Sequence, residues 1–78
     1  MFVVYVLRSL STGKLYIGQT RNLVKHLKEH NTGAAQYTRN RGPWVLLLQE
    51  DYPTRSDAMK RERYLKTGKG REWLGSNL

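Results

Sequence analysis

Two histidines four residues apart are the first residues in this sequence whose spacing suggests chemistry. His26 and His30 lie in the stretch LYIGQTRNLVKHLKEHNTG, residues 15–33, and an i, i+4 spacing places both imidazoles on one face of a helix. Helical zinc sites use this spacing, but the chain has no cysteine and no third strong ligand stands nearby in the sequence. The pattern therefore favours a packed, hydrogen-bonded His30 over a zinc ligand.

One carboxylate lies among the many cations in the second half of the chain. Ala58, Glu62 and Leu65 are spaced by four and three residues, which places Glu62 on the apolar stripe of a helix. Two interpretations remain open. Glu62 forms an ion pair with Arg61 or Lys66, or it binds a hard divalent cation, because Mg²⁺ takes one or two carboxylates beside water and phosphate oxygens. Spacing alone favours the ion pair.

Tyr5 and Tyr16 lie in two short β-like stretches and offer hydroxyl groups as well as rings. As strand formers they have an ordinary explanation as buried aromatic side chains. The functional alternative is a hydroxyl that faces a phosphate or a water molecule, and periodicity does not decide between the two. The serines have no nucleophile-elbow context, and the sequence has no glycine-rich phosphate loop.

The charge balance indicates a polyanionic partner. Fourteen Lys and Arg residues against six Asp and Glu residues give a formal charge of +8 on 78 residues. Solubility alone explains some basic proteins, but here the cations cluster between Lys60 and Arg71, which favours nucleic acid. A membrane surface fits poorly, because this helix lacks a strongly apolar opposite face. The candidate contacts to a nucleic-acid backbone are Arg21, Arg39, Arg41, Lys60, Arg61, Arg63, Lys66 and Lys69.

The elements that must position these residues follow from the hydrophobic pattern. Residues 2–8 and 15–18 flank the turn residues STGK and predict a β-hairpin. A helix is predicted from a cap at Asn22 to about Asn31, with Gly33 as its stop signal. The hairpin and the helix therefore carry both tyrosines and both histidines.

The rest of the chain predicts a third strand and a second helix. Residues 34–42 are read as a short helix or turn, and Trp44–Tyr52 is a continuous apolar run that predicts a central strand. A helix over residues 58–66 follows the possible caps Thr54 and Ser56, and residues 71–74 are expected to form a last turn. The order strand, strand, helix, strand, helix predicts a small α+β fold in a single domain over residues 1–78.

Five segments of the chain together resemble the GIY-YIG nuclease domain: VVYVL, LYIGQT, NLVKHLKEHNTG, TRNRGPW and DAMKRERYLKTGKG. Their order and spacing agree over nearly the whole chain, and the second signature is intact as Tyr16-Ile17-Gly18. The first signature is changed from Gly-Ile-Tyr to Val3-Val4-Tyr5. The resemblance is to the small stand-alone bacterial group, and it extends to the catalytic domain of homing endonucleases and of the excision-repair endonuclease subunit.

The resemblance implies a three-stranded antiparallel sheet flanked by helices and a metal-dependent endonuclease that cleaves or nicks DNA. It assigns catalytic roles to Tyr5, Tyr16 and His30, and it makes Glu62 the ligand of one Mg²⁺ or Mn²⁺ ion. For Glu62 it therefore reverses the preference that spacing alone gave. The catalytic arginine of the family is expected ten residues after Tyr16, and this sequence has His26 there.

Histidine is a weak replacement for an arginine that binds phosphate. An arginine offers a fork of donors and a permanent charge, whereas imidazole offers one donor toward the phosphate and ordinarily titrates near pH 6.5. Loss of a catalytic arginine costs about 10³–10⁵ in rate. Three hypotheses stay open: a weakened nuclease, an inactive nucleic-acid-binding module, and an enzyme that uses a protonated His26 and works faster toward pH 6.

The sequence also bears on location and partners. Its first ten residues are apolar but too short for a membrane span, and they lack the pattern of a signal peptide. We therefore expect a soluble, cytoplasmic protein that binds DNA and not a membrane. With 78 residues there is no room for a separate targeting domain, so we expect that the domain reads DNA structure or that a protein partner directs it.

Overall fold

The computed structural model describes residues 1–32 and 42–78 of the chain. These ranges form three strands, β1 (Phe2–Ser9), β2 (Leu15–Thr20) and β3 (Trp44–Tyr52), and three helices, α1 (Leu23–Thr32), α2 (Arg55–Leu65) and α3 (Gly68–Asn77). The strands pair antiparallel in the order β2-β1-β3. The predicted α+β class with a three-stranded antiparallel sheet and flanking helices is confirmed. The short helix or turn predicted over residues 34–42 lies outside the described residues apart from Gly42.

The central strand is β1, so the prediction of a central β3 is wrong. Both strands are apolar runs, but residues 3–7 of β1 are all buried, whereas Leu46 in β3 is 38% exposed. β1 pairs with a neighbour on each edge and is covered on both faces, while β3 has one edge unpaired within the described ranges. An apolar run shows that a strand is buried in part and does not show how many neighbours it has.

Helices α2 and α3 cover one face of the sheet. Ala58, Leu65 and Leu74 from these helices pack with Val4, Val6 and Ile17 from the hairpin. Both helices begin at a threonine cap, as the hydroxyl of Thr54 accepts from the Asp57 amide at 3.1 Å and that of Thr67 accepts from the Gly70 amide at 3.1 Å. Of the two caps considered for α2, Thr54 is the one used.

The end of the chain is more regular than predicted. Residues 68–77 form a ten-residue helix and not a single turn, and α2 begins at Arg55, three residues before the predicted start. The sequence predicts that Gly68 and Gly70 break α2, but α2 ends earlier, at Leu65, and both glycines lie in the first turn of α3. Thr67 explains this result, because a cap residue satisfies amides that would otherwise be unpaired at a new helix start.

Helix α1 covers the opposite face of the sheet. It begins at Leu23, after Asn22 accepts from the Lys25 amide at 3.1 Å, which confirms the predicted cap. Leu23 and Leu27 pack on the cluster of Tyr5, Leu7 and Trp44, and the buried side chain of α1 is that of His30.

A side-chain amide ties the end of α1 to the start of β3. Asn31 accepts from the Trp44 amide at 2.8 Å and donates to the Trp44 carbonyl at 3.2 Å, as a neighbouring strand would.

Among the described residues, no helix has the length and apolar character that crossing a membrane requires.

Gly70 allows α3 to lie directly against the end of α2. A Cβ at this position would collide with the Tyr64 carbonyl oxygen and lie 2.6 Å from the Leu65 Cα, both backbone atoms that cannot rotate away. We expect Gly70→Ala to lower the free energy of unfolding by about 1–3 kcal/mol. Gly75→Ala is the matched control, because its Cβ would meet nothing within 4 Å, and it should raise stability by about 0.5–1 kcal/mol. Urea denaturation of both variants checks this, and equal effects would contradict the close contact.

Burial of His30 makes the stability of the fold depend on pH. Burial foremost, and then the nearby His26, lower the pKa of His30 below its usual value, while Glu29 opposes the shift. Between the two pKa values the unfolded chain binds more protons than the native one, so the contribution is complete above about pH 6.5 and is lost as the pH falls below that value.

Urea denaturation at about pH 7.5 and about pH 5.5 measures this dependence. The wild type should lose stability at the lower pH, and His30→Gln should lose less. An equal loss in both proteins would show that His30 does not set the dependence.

Candidate active site

A cavity of about 280 Å³ opens where the hairpin, α1 and α2 meet. All five residues that the family resemblance singles out line it, and they come from four different elements. Three further residues complete its wall. The lining residues are Tyr5, Tyr16, Gly18, Gln19, His26, Glu29, His30 and Glu62.

The register of the hairpin brings the two tyrosines together. Tyr5 on β1 is paired with Gly18 on β2, and Tyr16 precedes Gly18 by two residues, so both side chains point to the same face. Their ring centroids lie 6.2 Å apart. A Cβ at Gly18 would lie 2.8 Å from the Tyr5 hydroxyl oxygen, so the glycine of the second signature is the residue that lets the Tyr5 ring cross β2.

Tyr5 and His30 form a buried polar pair at the base of the cavity. The Tyr5 hydroxyl lies 3.1 Å from His30 Nε2, and the His30 ring lies 4.8 Å from the Tyr16 ring between centroids. Burial foremost, and then electrostatic interaction with Tyr16 and with the carboxylate of Glu62, raise the pKa of Tyr5 far above its usual value. Tyr5 is therefore neutral near pH 7, and it donates to Nε2 when the imidazole proton lies on Nδ1.

The raised pKa of Tyr5 limits what this residue can do. A phenol that stays protonated well above neutral pH cannot act as a general base there. With its proton directed to His30, the hydroxyl oxygen still has lone pairs that can accept from a water molecule. The hydroxyl of Tyr5 is thus placed to orient a water molecule in the cavity.

His26 lies on the same side of α1 as His30, as the i, i+4 spacing predicts. Their ring centroids are 6.5 Å apart, and His26 is half-buried on the cavity wall. Within residues 1–32 and 42–78, no three His, Asp or Glu side chains gather closely enough to bind a metal by themselves. Because His26 lines the cavity, its imidazole occupies the position at which the family resemblance expects an arginine.

Glu62 forms the ion pair that its spacing favours, and it also lines the cavity. Its Oε2 accepts from Lys66 Nζ at 2.7 Å, and the same side chain lines the cavity at 20% exposure. The Lys66 side chain is 51% exposed, and such a solvent-facing i, i+4 pair contributes little stability. The ion pair therefore leaves Glu62 able to reorient toward a cation in the cavity.

The oxygen atoms of the cavity fit a hard divalent cation. Glu62 and Glu29 supply carboxylates, and Gln19 supplies a buried Oε1 that has no hydrogen-bond partner among the described residues. Mg²⁺ commonly takes one or two carboxylates and completes its shell with water and substrate phosphate. Glu62, Glu29 and Gln19 are therefore the residues that would supply oxygen ligands to a divalent cation in this cavity.

Sequence reasoning missed three lining residues. Glu29 could have been found, because positions 26, 29 and 30 share one helical face. Gly18 was part of the recognised signature, but its role in packing against Tyr5 needs the strand register. No pattern in the sequence marks Gln19.

The predicted nucleic-acid contacts fall into distinct environments. Lys60, Arg63 and Lys69 are exposed on α2 and α3, and Lys66 is the partner of Glu62. Arg39 and Arg41 lie outside the described residues. Arg21 lies two residues before α1 and lines a neighbouring cavity.

Arg61 has structural partners. It donates to Glu50 through Nε at 2.8 Å and through a terminal nitrogen at 3.2 Å, and its guanidinium lies 4.5 Å from the Trp73 ring centroid. These contacts join β3, α2 and α3, and they leave this side chain fewer donors for a phosphate than its exposed neighbours have.

Comparisons with known proteins agree with the fold and the signatures. The chain is 43% identical over 67 residues to a UPF0213 protein of Clostridium perfringens, an alignment that covers 85% of this chain and 71% of that relative. It is 42% identical over 65 residues to a UPF0213 protein of Staphylococcus aureus, with coverages of 82% and 78%. The solution NMR structure of a UPF0213 protein from Bacillus halodurans has a TM-score of 0.59 at 34% identity and covers 97% of this chain and 84% of that chain.

The family model of the GIY-YIG catalytic domain matches residues 1–74, which include every residue of the cavity. The nuclease-like fold that the signatures imply is therefore present, and the matched residues include the central strand and both tyrosines. This chain belongs to the GIY-YIG catalytic-domain family.

Proposed function

We propose that this protein is a metal-dependent DNA endonuclease whose activity is weakened at the position of His26. The observation that carries the proposal is the convergence of Tyr5, Tyr16, His30 and Glu62 on one cavity. These side chains come from sequence positions far apart, and packing alone does not require that two hydroxyls, an imidazole and a carboxylate share one wall. The formal charge of +8 supports an anionic polymer as the substrate.

The residues divide the work of phosphodiester cleavage between them. Glu62 would hold a divalent cation, which supplies positive charge to polarise the phosphate and to stabilise the leaving oxygen. Tyr5, fixed by His30, and Tyr16 beside it would orient the attacking water toward the phosphorus. His26 would donate a single hydrogen bond to a phosphate oxygen. This is the weakest element, since the family position is expected to carry a two-donor fork.

A second candidate function is a nucleic-acid-binding module that has lost the reaction. Two observations favour it: His26 stands at the arginine position, and Glu62 is paired with Lys66. Such a module binds DNA with a logarithm of affinity that falls linearly with the logarithm of salt concentration, and it cleaves no DNA with any metal.

Restoring the arginine separates the two functions. We expect wild-type protein to nick supercoiled plasmid slowly with Mg²⁺ or Mn²⁺, and His26→Arg to raise the rate by about 10²–10³. The gain arises because arginine adds a second donor and a permanent charge at the same wall of the cavity. The measurement is the rate of conversion of supercoiled to open-circular plasmid.

Carboxylate variants control this experiment. Glu62→Gln should abolish nicking in both backgrounds, whereas Glu72→Gln, which removes an exposed carboxylate from α3, should leave it unchanged. Activity that survives Glu62→Gln would contradict the proposed role of this residue. If His26→Arg binds DNA but cleaves none with either metal, the binding module is the correct function.

A further inference from the structure

A second cavity, of about 390 Å³, lies beside the candidate active site at the open end of the hairpin. It shares Gln19 and His26 with the first cavity, so these two side chains form the wall between them. Arg21, Lys25 and Arg55 line it, and no carboxylate is present in its described lining. The two cavities therefore differ in charge, with two glutamates lining the first and three cations lining the second.

Stacking on one aromatic ring orients both arginines of this second cavity. The Cζ atoms of Arg21 and Arg55 lie 5.1 Å and 5.3 Å from the centroid of the Phe2 ring. Such a contact restrains the guanidinium plane but leaves its N–H groups available to an anion. Neither side chain is within ion-pair distance of a carboxylate anywhere in the described residues.

This arrangement differs from that of the other stacked arginine. The guanidinium of Arg61 also contacts aromatic rings, but Glu50 neutralises it with two hydrogen bonds. Arg21 and Arg55 have the same restraint without the neutralising partner, and they face a cavity large enough to admit a phosphate group. A guanidinium that no carboxylate neutralises can form the two-donor contact that phosphate oxygens accept.

We propose that Arg21, Lys25 and Arg55 form a subsite for a backbone phosphate of nucleic acid, adjacent to the phosphate that contacts His26. The inference rests on the proposed function in taking a nucleic-acid strand as the ligand. Because His26 lines both cavities, a strand with one phosphate at His26 would pass a neighbouring phosphate along this cavity. The subsite would hold the strand in register at the position where His26 binds phosphate only weakly.

Binding without cleavage tests the subsite. The probe is a labelled DNA duplex without divalent cation, and the readout is fluorescence anisotropy over a range of salt concentrations. Arg21→Gln/Arg55→Gln should weaken binding about tenfold or more at low salt, because hydrogen bonds to charged groups are lost. It should also reduce the slope of log affinity against log salt by about 1.

A control with the same loss of charge is available at the far end of the hairpin. Arg8 and Lys14 are exposed near the β1–β2 turn, whereas Val3 and Thr20 pair at the end that holds the subsite. Arg8→Gln/Lys14→Gln should change affinity less than about threefold and leave the slope nearly unchanged. Equal weakening by both double variants would reduce the effect to overall charge and overturn the subsite.

A charge-conserving variant distinguishes oriented forks from simple attraction. Arg21→Lys/Arg55→Lys should keep the salt slope of the wild type and still bind several-fold more weakly, because an ammonium group cannot form the bidentate contact. Wild-type affinity in this variant would overturn the role of the stacked guanidinium groups. Binding to vesicles rich in phosphatidylglycerol is measured with the same double variants. If their binding to these vesicles falls as much as their binding to DNA, the cavity binds anionic surfaces in general and the nucleic-acid subsite is overturned.

The outcomes separate this inference from the proposed function. Loss of affinity and slope in Arg21→Gln/Arg55→Gln, together with no nicking by any variant, would keep the subsite and reject the nuclease. Nicking by the wild type with an unchanged slope in that double variant would keep the nuclease and reject the subsite.

Discussion

The contact between Tyr5 and His30 is the interaction on which the rest of the structure depends. Tyr5 belongs to the central strand, its ring crosses β2 over Gly18, and its hydroxyl lies 3.1 Å from Nε2 of His30, the buried side chain of α1. This one side chain therefore joins two strands and a helix. Because the contact fixes the rotation of α1, it also determines that His26 and Glu29 face the cavity, and that the start of α1 lies beside Arg55.

Tyr5 and His30 belong both to the core and to the candidate active site, so stability and chemistry place requirements on the same two residues. The buried pair is polar, so it must remain hydrogen-bonded, and a protonated His30 would leave an uncompensated charge beside the sheet. The same requirement keeps Tyr5 neutral and its hydroxyl fixed, which is a useful property for orienting water. Substitutions at either residue consequently cannot separate stability from chemistry, whereas His26 and Glu62 lie nearer the surface of the cavity and can be changed with less effect on packing.

Sequence patterns predicted the local features of this fold well, because those features depend on neighbouring residues. The hairpin, the caps at Asn22 and Thr54 and the placement of the two tyrosines on the hairpin strands all follow from short-range spacing. The central position of β1 could not be predicted, since β1 and β3 carry equally apolar runs and only the tertiary arrangement distinguishes them. Gln19 and the stacking of Arg21 and Arg55 on Phe2 were missed for the same reason: they depend on residues that lie far apart in the sequence.

His26 lines both the candidate active site and the basic cavity beside it. It forms part of the wall between an acidic cavity suited to a metal and a basic cavity suited to a phosphate. An arginine at that wall would contribute both to transition-state stabilisation and to substrate binding. A histidine, which offers one donor, would contribute less to each. If the basic cavity holds the strand, histidine in place of arginine at position 26 mainly affects the chemical step, because the neighbouring cavity supplies the affinity for the substrate. The proposed subsite would thus let a chain with the GIY-YIG fold bind DNA even where His26 slows cleavage.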